Sequence, residues 1–164
     1  MPPPLSFDDV LAARERIGAR VLVTPMLRVP ALDHLAGLEL FLKAENLQRI
    51  GAFKARGAMN AVLSLPADAR ARGLVTFSSG NHGQAVALAA RDCGVPCHVV
   101  MPTDAPAIKV RSVQELGAAV SFVGTTSEER KAMAEEIVAR TGGTMIPPFD
   151  DAAVIAGQGT AALE

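Results

Sequence analysis

From residue 74 onward, short apolar runs alternate with helical stretches, and this alternation limits the possible folds more than any other feature of the chain. The runs are LVTFS at 74–78, CHVVMP at 97–102, AVSFVG at 119–124 and TMIPP at 144–148. The helical segments between them have recognisable ends. Gly94 follows the first. Val110, Val113 and Leu116 share one face of the second, which ends at Gly117. Ser127 is placed to cap the third, and Gly142 and Gly143 stop it. Strands separated by helices at this spacing predict βαβ units with right-handed crossovers. The expected fold class is therefore α/β, an open parallel sheet with flanking helices.

The upstream part is less regular. Ser6 with Asp9 three positions on has the layout of a helix N-cap and its reciprocal partner, and Gly18 closes a helix over 7–17. Thr24-Pro25 interrupts the next stretch, and LELFLK at 38–43 predicts a strand. FKARGAMNAVLSL at 53–65 predicts a helix with Ala58, Val62 and Leu65 along one side, closed by Pro66 and the polar DARARG. The final DAAVIAGQGTAALE starts another helical pattern, for which Asp150-Asp151 offers a cap. It runs out in mid-pattern, so the chain is expected to be a fragment.

At 164 residues, the chain has room for one ordinary domain or two small ones. A net charge of −1 lacks the basic footprint of a nucleic-acid binder, and a chain without Trp or Tyr has few rings on which to stack bases. No apolar run approaches the roughly 18–20 residues that cross a membrane, and MPPPLSFDDV has no cationic start or apolar signal core. Cys93 and Cys97 are too few for a disulfide framework and lack metal-ligand spacing, so they read as small buried hydrophobes and no metal is expected. A cytoplasmic location is the default expectation.

Two segments carry chemistry. Lys54 lies at the predicted start of a helix, between Phe53 and the small residues Ala55, Gly57 and Ala58. A helix N-terminus and a partly apolar site both favour the neutral amine that Schiff-base chemistry requires; a solvated surface lysine is the plainer alternative. Lys131, among Glu128, Glu129, Glu135 and Glu136, has ion pairing as its natural role. In VTFSSGNHGQAVALAA, a strand gives way to Ser79, Gly80, Asn81, His82 and Gly83 and then to a helix. Such a loop gathers backbone N–H groups, hydroxyls and a helix N-terminus at one point, which suits an anion, although Ser79 or Asn81 as a simple cap also fits. VIAGQGT at 154–160 lacks the strand-first layout of a dinucleotide loop, and its glycines fit close helix packing better. His34 and His98 have no partner visible in the sequence.

Taken together, LFLKAENLQRIGAFKARGAMNA, SSGNHGQAVALAA and PPFDDAAVIAGQGTAALE resemble, in order, three segments of the fold-type II pyridoxal-phosphate (PLP) enzymes. The resemblance is to the branch of serine/threonine dehydratases and serine racemases, whose fold is like that of the tryptophan synthase β-subunit. It implies that Lys54 attaches PLP as a Schiff base and later moves protons. Phe53 would flank the cofactor and Asn81 would hydrogen-bond its phenolic oxygen. Ser79, Gly80, Asn81 and His82 would hold the substrate carboxylate, and Ser79 would lie opposite Lys54, where racemases place a second base. Ile50 stands where Thr is commoner, and Ala52 where Ser is commoner. The family's glycine-rich phosphate loop and the residue facing the pyridine nitrogen do not occur in these residues. The resemblance further implies that 73–150 is a small α/β domain, that 1–72 and 151–164 are parts of a larger cofactor domain, and that the full-length enzyme is a homodimer. The implied activity is elimination from L-threonine or L-serine to a 2-oxo acid and ammonia. Serine racemisation, hydroxyaspartate dehydration and an inactive fragment are the alternatives.

Overall fold

The computed structural model describes residues 5–164. Its helices are α1 (Phe7–Ile17), α2 (Pro30–Ala36), α3 (Lys54–Ser64), α4 (Ala67–Ala71), α5 (Asn81–Cys93), α6 (Ala107–Glu115), α7 (Ser127–Thr141) and α8 (Ala152–Gly159). Its strands are β1 (Met26–Leu27), β2 (Leu42–Lys43), β3 (Leu74–Phe77), β4 (Cys97–Met101), β5 (Ala119–Phe122) and β6 (Thr144–Met145). Strands β3 to β6 form one parallel sheet in the order β5-β4-β3-β6, as the alternation predicts, while β1 and β2 pair antiparallel on their own.

The strand period of two sorts the sheet side chains onto two faces. Leu74, Cys97, Val99 and Met101 join the main core with residues of α3, α5 and α8. Val75, Phe77 and Val100 face Ala134 and Ile137 of α7. Cys97 is among the buried residues, and burial pushes its thiol up to about 12, so it behaves as the small hydrophobe expected. The main core is continuous from Ile17, Met59 and Val62 through to Leu74 and Val86, so α3 and the sheet layer share one apolar interior.

Close helix approach depends on two of the glycines. A Cβ on Gly157 would sit 2.7 Å from the Arg56 carbonyl oxygen, and one on Gly57 would sit 2.7 Å from the Val154 carbonyl oxygen. Facing glycines thus bring α3 and α8 nearly backbone to backbone, which is the packing role expected for VIAGQGT.

The helix ends follow the sequence with local corrections. Ser6 and Asp9 form the expected capping box. For α7 the cap is Thr126 rather than Ser127, because Glu129 lies three residues after Thr126 and completes the box. Asp151, the second of the Asp pair, caps α8 by accepting from Val154 N–H at 2.8 Å. The strand expected over 38–43 shortens to Leu42–Lys43, since only Met26 and Leu27 pair with it. The segment after Pro66 is not simply a break: Ala67–Ala71 forms a short helix, with Arg72 paired to Asp68 across one turn.

Candidate active site

Topology alone picks out one edge of the sheet. After β3 the chain passes to β4 and β5 on one side, then returns to β6 on the other, so strand order reverses between β3 and β6. Open α/β sheets bind ligands at such a reversal, outside the carboxyl ends of the strands. The segments that leave these two ends are 78–82 and 146–151, and Lys54 reaches the same place from the first turn of α3.

Contacts join all three segments. Lys54 Nζ donates to the Pro148 carbonyl at 2.9 Å. His82 Nε2 lies 3.1 Å from the Ile146 carbonyl, and since a carbonyl only accepts, that nitrogen carries the proton. Thr76 Oγ1 donates to the same Ile146 carbonyl at 2.7 Å. The chain between Ile146 and Pro148 is therefore pinned from β3, α5 and α3 together. Ile50 and Asp150 are the two non-glycine residues with positive φ among the described residues, at 59° and 55°. They stand four positions before Lys54 and two after Pro148. For a β-branched residue such as Ile50 the left-handed region costs roughly 1–3 kcal/mol, and strain of that kind gathers at functional sites.

Burial works against the charged form of the amine. Lys54 is half-buried, and that burial holds its ammonium below its ordinary value. The Phe53 ring is exposed and its centroid lies 5.4 Å from Lys54 Nζ. Burial also pushes His82 down to about 4, with the Lys54 charge acting the same way and the Ile146 bond opposing it. His82 is thus neutral near pH 7, and its Nδ1 is buried without a partner.

His82 makes folding pH-dependent. Because the folded value lies below the ordinary 6.5, the folded state holds fewer protons than the unfolded one. Stability is complete above about pH 6.5 and falls by up to about 3 kcal/mol as pH drops toward 4. Denaturant unfolding of this chain at pH 7 and pH 4.5 should therefore show a larger loss than in His82→Gln, by about 2–3 kcal/mol. Equal losses in the two proteins would remove this role.

The loop residues are placed as follows. Ser79 and Asn81 are exposed, Gly80 is half-buried, and the His82 ring is turned inward. Gly80 N–H donates to Ser78 Oγ at 3.1 Å. The first N–H groups of α5 have no intrahelical acceptor and are free for an anion. Asn81 Oδ1 accepts from Lys109 Nζ at 2.7 Å, a contact from the start of α6 that the sequence does not disclose. His98 likewise has a partner, Ser121 Oγ at 2.9 Å.

Sequence reasoning also misses the charge cluster behind Lys54. The Arg56 side chain is 0% exposed and pairs with Glu45 and Glu164, both at 2.7 Å. Lys43 adds a 2.6 Å contact to Glu164, and the Thr24 hydroxyl donates to Glu45 at 2.6 Å. Burial opposes the Arg56 charge, but the two carboxylates outweigh it and raise Arg56 further. Burial alone would raise Glu164 too, yet the Arg56 and Lys43 bonds hold it down at about 2. Only the placement of a cation inside the small-residue run KARGA hints at this.

A cavity of about 570 Å³ lies elsewhere, on the α7 side of the sheet among Phe77, Val138, Met145 and Phe149. It includes neither Lys54 nor the 78–82 loop, so chemistry favours the β3–β6 edge over volume. A half-buried amine whose pKa is lowered by burial, an aromatic ring beside it and a helix N-terminus at the same sheet edge fit a carbonyl cofactor that meets an amino-acid carboxylate.

Comparison with known proteins agrees with this chemistry. The chain is 45% identical over 159 residues to the L-threo-3-hydroxyaspartate ammonia-lyase of Saccharomyces cerevisiae, covering 97% of this chain and 49% of that protein. It is also 45% identical to the serine racemase of Schizosaccharomyces pombe, again covering 97% of this chain and 49% of that protein. Among solved structures, the serine racemase from Dictyostelium discoideum superposes with a TM-score of 0.90 at 42% identity, covering 97% of this chain and 52% of that one. The processed form of threonine deaminase isoform 2 from Solanum lycopersicum gives 0.84 at 34% identity, covering 99% and 46%. The chain therefore spans about half the length of the relatives it matches. Residues 18–164 match the family described as "Pyridoxal-phosphate dependent enzyme", and the chain belongs to that family.

Proposed function

We propose that this chain supplies the lysine and the substrate loop of a PLP-dependent ammonia-lyase acting on L-threonine or L-serine. The observation that carries the reading is Lys54, held below its ordinary pKa at the Pro148 carbonyl, at the edge where the sheet order reverses. Within this reading, Lys54 is the attachment point and then the base that takes the Cα proton. Phe53 covers one side of the cofactor, and Asn81 donates to its phenolic oxygen. Ser79, Gly80, Asn81 and His82 surround the substrate carboxylate, chiefly through N–H groups at the start of α5, and so fix which Cα bond is broken. The neutral His82 holds Ile146 and keeps the loop in register with the segment that Lys54 touches. Bound PLP supplies the electron sink. Loss of the Cα proton and the β-hydroxyl as water leaves an enamine, which hydrolyses to a 2-oxo acid and ammonia.

In the same reading, residues 73–150 act as a small domain beside a larger cofactor domain to which 1–72 and 151–164 contribute, and the complete enzyme is a homodimer. Among the described residues no helix is long and apolar enough to cross a membrane.

A second reading on the same site is racemisation or hydroxyaspartate dehydration. It is favoured by the exposed Ser79 in the loop and by relatives whose names carry those activities. Product analysis separates the two in a polypeptide of the relatives' full length: oxo acid with ammonia, or inverted amino acid. Ser79→Ala should lower racemisation by roughly a hundredfold while lowering elimination several-fold at most, because only inversion needs a proton donor on the second face. Equal losses would assign Ser79 to carboxylate binding alone.

A further inference from the structure

Lys109 lies on a different element from every residue in the proposed site, yet its ammonium donates to Asn81 Oδ1 at 2.7 Å. An ammonium has donors only, so the amide orientation is fixed by chemistry: the oxygen of Asn81 must face Lys109. The Asn81 carboxamide is planar, so with its oxygen held toward Lys109 its two N–H donors are turned the other way. A group that meets this amino end must be an acceptor. The Lys109 charge, one hydrogen bond behind, strengthens that preference for an acceptor that is also an anion.

Resting on the function proposed above, we propose that Lys109 is a positioning residue that locks the Asn81 amide as a donor toward the phenolic oxygen of bound cofactor and places a fixed positive charge behind it. Nothing in this role needs Lys109 to touch cofactor or substrate. Asn81 is exposed and begins its helix, so without this partner its amide is free to turn and present its oxygen instead. An oxygen turned toward a phenolate would repel it.

Two readouts test the role. In the chain without cofactor, Lys109→Met should shift the Asn81 side-chain amide resonances, while backbone amides away from 78–84 and 106–112 stay in place. In the cofactor-loaded polypeptide of full length, the visible band of the lysine-linked cofactor should titrate about one pH unit higher in Lys109→Met, since the lost cation no longer favours the deprotonated form. Lys109→Arg, which keeps donor and charge, should restore the wild-type midpoint to within about 0.3 unit. If Lys109→Met fails to fold, Lys109→Ala takes its place in both arms. The proposal is overturned if wild type and both variants share one midpoint, or if the Asn81 amide ignores the substitution. If instead wild type shows no such band, the proposed function has failed, and the Asn81 resonances still decide whether Lys109 holds the amide.

Discussion

Lys54→Ala is expected to abolish the visible band of bound cofactor and to cut elimination by about a thousandfold or more in a polypeptide of the relatives' full length. Two losses combine. In the proposed function, the substitution removes the amine that forms the covalent link, and it removes the base that takes the Cα proton. It also removes the donor to the Pro148 carbonyl, one of three side-chain ties on the 146–148 segment. The fold should survive, because Lys54 is at the first turn of α3 and its side chain contributes nothing to the apolar core. Circular dichroism of the variant should match the wild type, and absorbance and oxo-acid release give the functional result. A variant that keeps both the band and the activity would show that another group does the chemistry.

Arg56→Met has the largest expected effect on stability, about 3–5 kcal/mol. The side chain of Arg56 has no exposure, and those of Glu45 and Glu164 have 16% and 7%. Without the guanidinium, two enclosed carboxylates face each other with only Lys43 as counter-charge, and that contact reaches Glu164 alone. Methionine fills much of the volume, so the loss reports electrostatics more than a cavity. A second substitution, Glu45→Gln, should recover part of it, and the non-additivity of the pair measures the coupling. Denaturant unfolding of the single and double variants gives both numbers. A cost below about 1 kcal/mol for Arg56→Met would mean that the cluster is solvated in the folded protein.

The cluster also shows why sequence reading stops where it does. In KARGAMNAV, Arg56 looks like any helical cation flanked by small residues. Its burial arises from Glu45 and Glu164, and Glu164 lies 108 residues away, a separation that no local pattern encodes. The Lys109–Asn81 contact is hidden for the same reason. By contrast, features set by neighbours in sequence are legible. The Ser6–Asp9 box follows from a three-residue spacing, and the parallel sheet follows from apolar runs separated by helices. Where local signals compete, the sequence misleads. Thr126 and Ser127 can both cap a helix, and only the distance to Glu129 decides between them. Leu38 to Phe41 carry strand-like residues, but a strand exists only where a neighbour pairs with it, and Met26–Leu27 reach just Leu42 and Lys43. Pro66 stops α3 but also serves as the N-cap of α4, so one residue both ends and starts a helix.

Of the four lysines in the chain, Lys43 is tied to Glu164, Lys109 to Asn81 and Lys131 to Glu135, whereas Lys54 is bonded to a neutral carbonyl and its pKa is lowered by burial. The most direct test is therefore chemical. The full-length polypeptide is incubated with PLP, reduced with borohydride, digested and mapped by mass spectrometry. The pyridoxyl group should appear on Lys54 at one per chain, with the other three lysines unmodified. A label on Lys43, Lys109 or Lys131, or no label at all, would contradict the assignment of this site.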